Sequence, residues 1–290
     1  MPSDATERWF ELAAQFAVPG FDSHAHEPEA ASGQLRQAEW ATFDAIVLID
    51  EIDDDSALAH VYPVSVEANV ADGSALVIAA SDTPLAAPLT VWPLHAHWIP
   101  FAALDGLMVT LAPELIKSVQ AARTTVRAHH DSTAVQSSGA TLAFEDLLEA
   151  MDVLEEAPRL GATQHSTGAR LDMDLGLVIE TLNIDQSRAM DILYGAEPVS
   201  QDEADALGAA SGVSSAEILN AVNPLPEDLS RELQEPRWRT GVRRRSAGGN
   251  EQVGRTRLGY DIYQLAARQH GNGRDIWRQR LETFLQAEEQ

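Results

Sequence analysis

Between residues 38 and 101 the apolar residues come in short runs broken by turns, with no amphipathic helix between them. That spacing constrains the fold most, because parallel strands need long crossover connections and closely spaced strands cannot supply them. Ala45–Ile49 is a continuous apolar run suited to a buried strand, and Asp50 to Asp55 is an acidic turn. Ala57–Val66 and Ala75–Ala80 read as the next strands; Leu89–Trp92 and His97–Phe101 follow, separated at Pro93. The expectation is a small antiparallel β-barrel. The uncharged stretch Thr83–Leu104 is read as turns and short strands, since Pro84, Pro88, Pro93 and Pro100 would break a membrane-spanning helix.

Beyond it the apolar period becomes helical. Leu111, Leu115, Val119, Ala122 and Val126 form one stripe; Phe144, Leu147, Met151 and Leu154 form another. Residues 156–170 are a linker. Across 171–234 several short helices carry start and stop signals: Gly195 ends one, Ser200 with Glu203 opens the next, Gly212 ends that, and Ser214 with Glu217 opens another. Residues 236–256, with Gly241, Gly248, Gly249 and clustered arginines, read as a flexible basic arm. Helices carrying Leu258, Ile262 and Leu265, then Trp277, Leu281 and Phe284, close the chain. Trp9, Leu12 and Phe16 mark an N-terminal helix over 4–17. The fold class is therefore α+β. A helix and loop (1–37) precede the barrel with its helix (38–130). A helical domain (140–235), the arm (236–256) and two closing helices (257–290) follow.

Charge is unevenly spread. The net charge is −25, and Lys117 is the one lysine among 20 basic residues. Residues 231–290 hold 12 arginines against 8 acids, and residues 1–230 hold 8 basic residues against 37 acidic ones. An acidic body repels phosphates, whereas Arg237, Arg239, Arg243, Arg244 and Arg245, interleaved with Trp238, suit a nucleic-acid backbone or the chain's own acids. With no cysteine, disulfides and thiolate chemistry are excluded. That absence, and the lack of a basic start followed by an apolar run, points to the cytoplasm.

Catalytic motifs are weak. Ile46 to Asp53 resembles a Walker B strand, but no phosphate-cradling G-x-x-x-x-G-K-[ST] accompanies it. No G-x-S-x-G elbow is present. His24 with His26, and His95 with His97, have the period-2 spacing that can place two ligands on one strand face. Neither pair has the alternating strands and helices of a metal-dependent hydrolase barrel around it, and no metal or cofactor is expected.

Two resemblances add to this. AIVLID, the segment VYPVSVE, and WIPFAALDGL followed by APELIKSV resemble the SH3-like barrels of the MazF/PemK toxin family. That likeness implies an endoribonuclease using an arginine near the first strands. No arginine lies between Arg36 and Arg123, so a non-catalytic relative is expected. The segment DQSRAMDILYGAEPVSQDEADALGAASGVSSAEIL resembles the helix-turn-helix of XRE-like regulators. By that likeness Asp185 to Leu193 is the recognition helix, with Gln186, Ser187 and Arg188 reading base edges or holding phosphates. The reading is a non-catalytic, homodimeric regulator of toxin–antitoxin or defence type, binding DNA through this helix and the arginine arm. Its alternatives are a MazF-like endoribonuclease and an acidic module that docks a basic protein or mimics nucleic acid.

Overall fold

The computed structural model describes residues 27–129, 138–159, 171–246, 250–266 and 273–288. The helix expected over 4–17 and the pair His24 and His26 lie outside them. The chain divides into two compact units, residues 1–53 with 58–157, and residues 54–57 with 158–290.

The first unit is a seven-stranded antiparallel sheet: β1 (Gln34–Trp40), β2 (Phe43–Asp53), β3 (Leu58–Ser65), β4 (Leu76–Ile78), β5 (Leu89–Val91), β6 (His97–Pro100) and β7 (Leu104–Thr110). The order is β4-β5-β3-β2-β1-β7, and β6 pairs with the half of β3 that β5 leaves open. The expected barrel is corrected to an open sheet, with β4 and β7 as its ends among the described pairings. The strands are too short to close it: β4 and β5 have three residues each. β1 also begins earlier than position 38, inside the segment expected as loop.

Alternation sorts the side chains by face. Leu35, Leu48, Tyr62 and Val64 form one core with Ile116 and Val119 of α1 (Pro113–His129). The other face takes α2 (Ser138–Glu155), which packs on β2 and β6, and His97 of β6 meets Glu155 there at 2.6 Å.

The second unit is helical. α3 (Leu175–Leu182), α4 (Gln186–Leu193), α5 (Gln201–Ser211) and α6 (Ser215–Asn220) enclose Val178, Ala189, Ile192, Ala204, Leu207 and Ile218. Local chemistry sets their starts. Ser200 and Glu203 form the expected reciprocal capping box, and Asp174, Asp185 and Ser214 cap the other three helices. A second core of Leu229, Leu233, Trp238, Val242, Leu258 and Leu281 joins α7 (Glu227–Glu232), α8 (Arg239–Ser246), α9 (Glu251–Ala266) and α10 (Arg274–Glu288).

The expected flexible arm at 236–256 is therefore corrected: most of it is a 3-10 turn at Pro236–Trp238, then α8 and the first part of α9. Trp238 and Val242 lie four residues apart and are both buried, which gives the arginine-rich segment an apolar side to fold on. Gly254 serves close approach here, since a Cβ on it would lie 3.0 Å from the Val242 carbonyl.

Candidate functional site

Arg239, Arg243 and Arg245 of the expected arm are held by the chain's own carboxylates. Glu251, in the first turn of α9, accepts from Arg239 Nε at 2.9 Å and from Arg243 Nε at 2.5 Å. Burial works against the Glu251 carboxylate, but Arg239 and Arg243 outweigh it and hold its pKa below the ordinary value. Arg239 is buried. Arg245 reaches Asp261 at 2.5 Å and lies over the Phe284 ring at 4.9 Å. Arg237 lies near the Trp238 ring and is half-buried, whereas Arg244 is exposed. Fully buried Arg255 donates to the Leu233 carbonyl, and burial together with Arg239 pulls its pKa down to about 10. Nearby, the fully buried Glu232 receives Arg274 Nε at 2.8 Å, Arg278 Nε at 3.1 Å and Trp238 Nε1 at 3.2 Å. Counter-ions at i+8 and i+16, out of phase with any short motif, are what composition could not reveal.

On α4, Gln186 and Ser187 are exposed in the first turn. Arg188 is turned away from solvent-facing duty: Nε donates to Glu197 and Nη2 to Glu203, each at 2.7 Å. Asp185 caps the helix and stays exposed beside Gln186. The segment thus presents two neutral polar side chains flanked by carboxylate charge.

A third cluster went unread in the sequence. Asp50, at a bulge in β2, accepts from the Tyr62 hydroxyl at 2.7 Å and from Gln120 Nε2 of α1 at 2.7 Å. His60 Nδ1 lies 3.0 Å from the same carboxylate. Burial opposes the Asp50 charge, yet the hydrogen bonds from His60, Gln120 and Tyr62 overcome it and hold its pKa near 2. Burial and the Asp50 charge together push the Tyr62 hydroxyl pKa up. His60 is the register partner of Trp98 on β6; their rings are 5.0 Å apart, and Trp98 is 41% exposed. Arg123, one turn beyond Gln120 on α1, is exposed and acts on the Tyr62 hydroxyl. The available signal was His60 and Tyr62 two apart on a strand, with Asp50 closing the preceding apolar run.

The other flagged residues separate. His97 pairs with Glu155, whereas His95 meets the Phe144 ring edge-on at 4.8 Å. No group of three or more potential metal-binding side chains comes together among the described residues. Arg36, the arginine nearest the first strands, is fully buried and donates to Glu27, Gln34 and the carbonyls of Pro28 and Asp105. It has no path to a phosphate on the surface. Among the described residues, no helix is long and apolar enough to cross a membrane.

Comparison with known protein families, with curated proteins and with solved structures found no match to this chain.

Proposed function

We propose that the chain is a non-catalytic interaction protein whose acidic surface docks a basic protein partner. The observation that carries this reading is α2. Glu145, Glu149 and Asp152 recur along one side of that helix, Asp146 and Glu155 flank them, and all five are exposed. No basic residue occupies the helix's last turn, where cations favour the macrodipole and Asp152 and Glu155 oppose it. Beyond the contact of Glu155 with His97, this charge does nothing for its own helix and fits a surface that takes an external cation. Arg239, Arg243, Arg245 and Arg274 are engaged internally by Glu251, Asp261 and Glu232, which reduces the cationic surface that these four offer to phosphate.

The test is binding to a lysine- and arginine-rich peptide over a salt series. The wild type is compared with the triple variant E145Q/E149Q/D152N and with D202N/D205N/E217Q, a control that removes three exposed acids elsewhere. Selective loss in the α2 variant supports docking there. Equal loss in both variants reduces the effect to net charge and ends this reading.

A second reading, DNA binding by a homodimeric regulator of toxin–antitoxin or defence type, draws support from exposed Gln186 and Ser187 on α4 and exposed Arg244 on α8. The order α4, turn, α5, turn, α6 suits the helix-turn-helix resemblance. It requires duplex DNA to bind, with a salt slope that becomes shallower when Arg243, Arg244 and Arg245 become alanine.

A further inference from the structure

We propose that the Asp50–His60 pair, with Trp98 and Arg123, forms a binding site for a nucleobase joined to a phosphate, either as a free nucleotide or as one unit of a single strand. The argument starts with the sheet. Register sets His60 and Trp98 side by side on β3 and β6, and Tyr62, two residues along, shares their face. This is the face on which α1 packs, so Gln120 reaches Asp50, and the charge of Arg123, one turn further along α1, acts on the Tyr62 hydroxyl.

Each group has a separate consequence. Asp50 is saturated by three partners and serves as a fixed negative anchor. Through it the His60 ring is pinned by Nδ1, and that ring, only 8% exposed, is the backing on which the Trp98 indole rests. Trp98 is a large indole left 41% exposed in a strand otherwise turned inward at Ile99 and Pro100. An exposed indole held against a second ring is a ready platform for a planar base. Arg123 adds an exposed guanidinium, the group best matched to phosphate oxygens. An aromatic face backed by His60 and a guanidinium on one surface match base and phosphate in turn. The site is independent of α2 docking, because alternation along β6 sends His97 towards α2 and Trp98 to the other face.

The experiment is calorimetric titration of the full chain with AMP, adenosine, ribose 5-phosphate and a short single-stranded oligoadenylate, at moderate salt so that the net charge of −25 is screened. AMP is expected to bind better than adenosine or ribose 5-phosphate. W98A and R123Q should each weaken AMP by about tenfold or more, while W98F retains most of the affinity. W98A removes a ring packed on His60 and should lower the unliganded melting temperature, so affinities are compared where every variant is folded; W98F, which keeps that ring contact, separates a binding role from a structural one. Oligoadenylate binding more tightly than AMP identifies a strand as the source; the reverse identifies a free nucleotide. Absence of AMP and oligoadenylate binding at millimolar concentration, or unchanged affinity in both variants, overturns the proposal. E145Q/E149Q/D152N should leave AMP binding unchanged, so the two readings fail separately.

Discussion

Arg188 Nη2 donates to Glu203 Oε1 at 2.7 Å, and Glu203 is the residue whose other oxygen closes the capping box on the Ser200 amide. One carboxylate therefore fastens α4 to the start of α5. Both side chains are largely shielded, so the pair is screened less than a surface bridge. R188A is expected to destabilise the helical unit by about 1–3 kcal/mol, by removing one partner of a charge-assisted bond. The pH dependence follows from Glu203. Burial raises its pKa, but the Ser200 amide and Arg188 more than offset that, so the folded value is below the ordinary one. A depressed carboxylate contributes stability above its unfolded pKa and loses it as pH falls through the folded value. Chemical denaturation should show wild type and R188A converging in acid. If R188A instead weakens DNA binding with its stability intact, Arg188 is a contact residue and the ion-pair account fails.

Asp50 makes the analogous prediction in the sheet. Its folded pKa is about 2 against an ordinary 3.8. The carboxylate thus contributes fully above pH 4 and loses that contribution between pH 4 and pH 2, worth about 2 kcal/mol. D50N keeps the size and one acceptor but not the charge. Urea unfolding of wild type minus D50N across pH 2 to 6 should give a difference that is flat near neutrality and shrinks in acid. A difference independent of pH means that Asp50 acts by shape alone.

The strands were legible where apolar content marked them. Ala45–Ile49 lies within β2, and Leu89–Trp92 brackets β5. β1 was missed because QLRQAEW buries Gln34 and Arg36 alongside Leu35 and Ala38, so no clean apolar alternation marks it; only partners on β7 and residues 27–29 explain the buried polar pair. β7 was missed because Asp105 and Gly106 interrupt its apolar run, and its pairing with β1 shifts register on either side of Arg36. Caps at Ser200 and Ser214 are local and could be read directly. Arg239 to Arg245 could not, since nothing within a helical turn supplies the carboxylates that Glu251 and Asp261 bring. The Asp50 cluster was invisible for the same reason: β2 and β3 must pair before residues 50, 60 and 62 meet, and α1 must fold back before Gln120 joins them.

Glu232 tests how far the helical unit depends on its charge network. Its carboxylate is fully buried and receives Arg274, Arg278 and the Trp238 indole. E232A removes the shared acceptor of Arg274, Arg278 and the Trp238 indole, while Arg274 keeps Glu235 and Asp54 and Arg278 keeps Asp275, so about 1–3 kcal/mol of stability should be lost. E232Q keeps an acceptor for Trp238 and one arginine, so it should cost less. Thermal unfolding of the two variants should rank wild type above E232Q above E232A. Equal values for both variants would show that the charge contributes nothing beyond the hydrogen bonds.

Salt should stabilise this chain even though it weakens individual bridges. Two opposed effects compete. Added ions screen pairs such as Arg245 with Asp261, where the carboxylate is 44% exposed, and each such pair is worth about 0.2–1 kcal/mol. The same ions screen the self-repulsion of a surface with net charge −25, which grows with the square of the charge. The tightest pairs, on Glu232 and Glu251, are shielded at 0% and 18% exposure and lose little. Repulsion therefore dominates the salt response, and the melting temperature should rise steadily from low to molar potassium chloride. E145Q/E149Q/D152N removes three of those charges and should flatten the rise. A melting temperature that falls with salt would mean that exposed pairs outweigh the net charge, and would undercut the reading of the acidic surface as uncompensated.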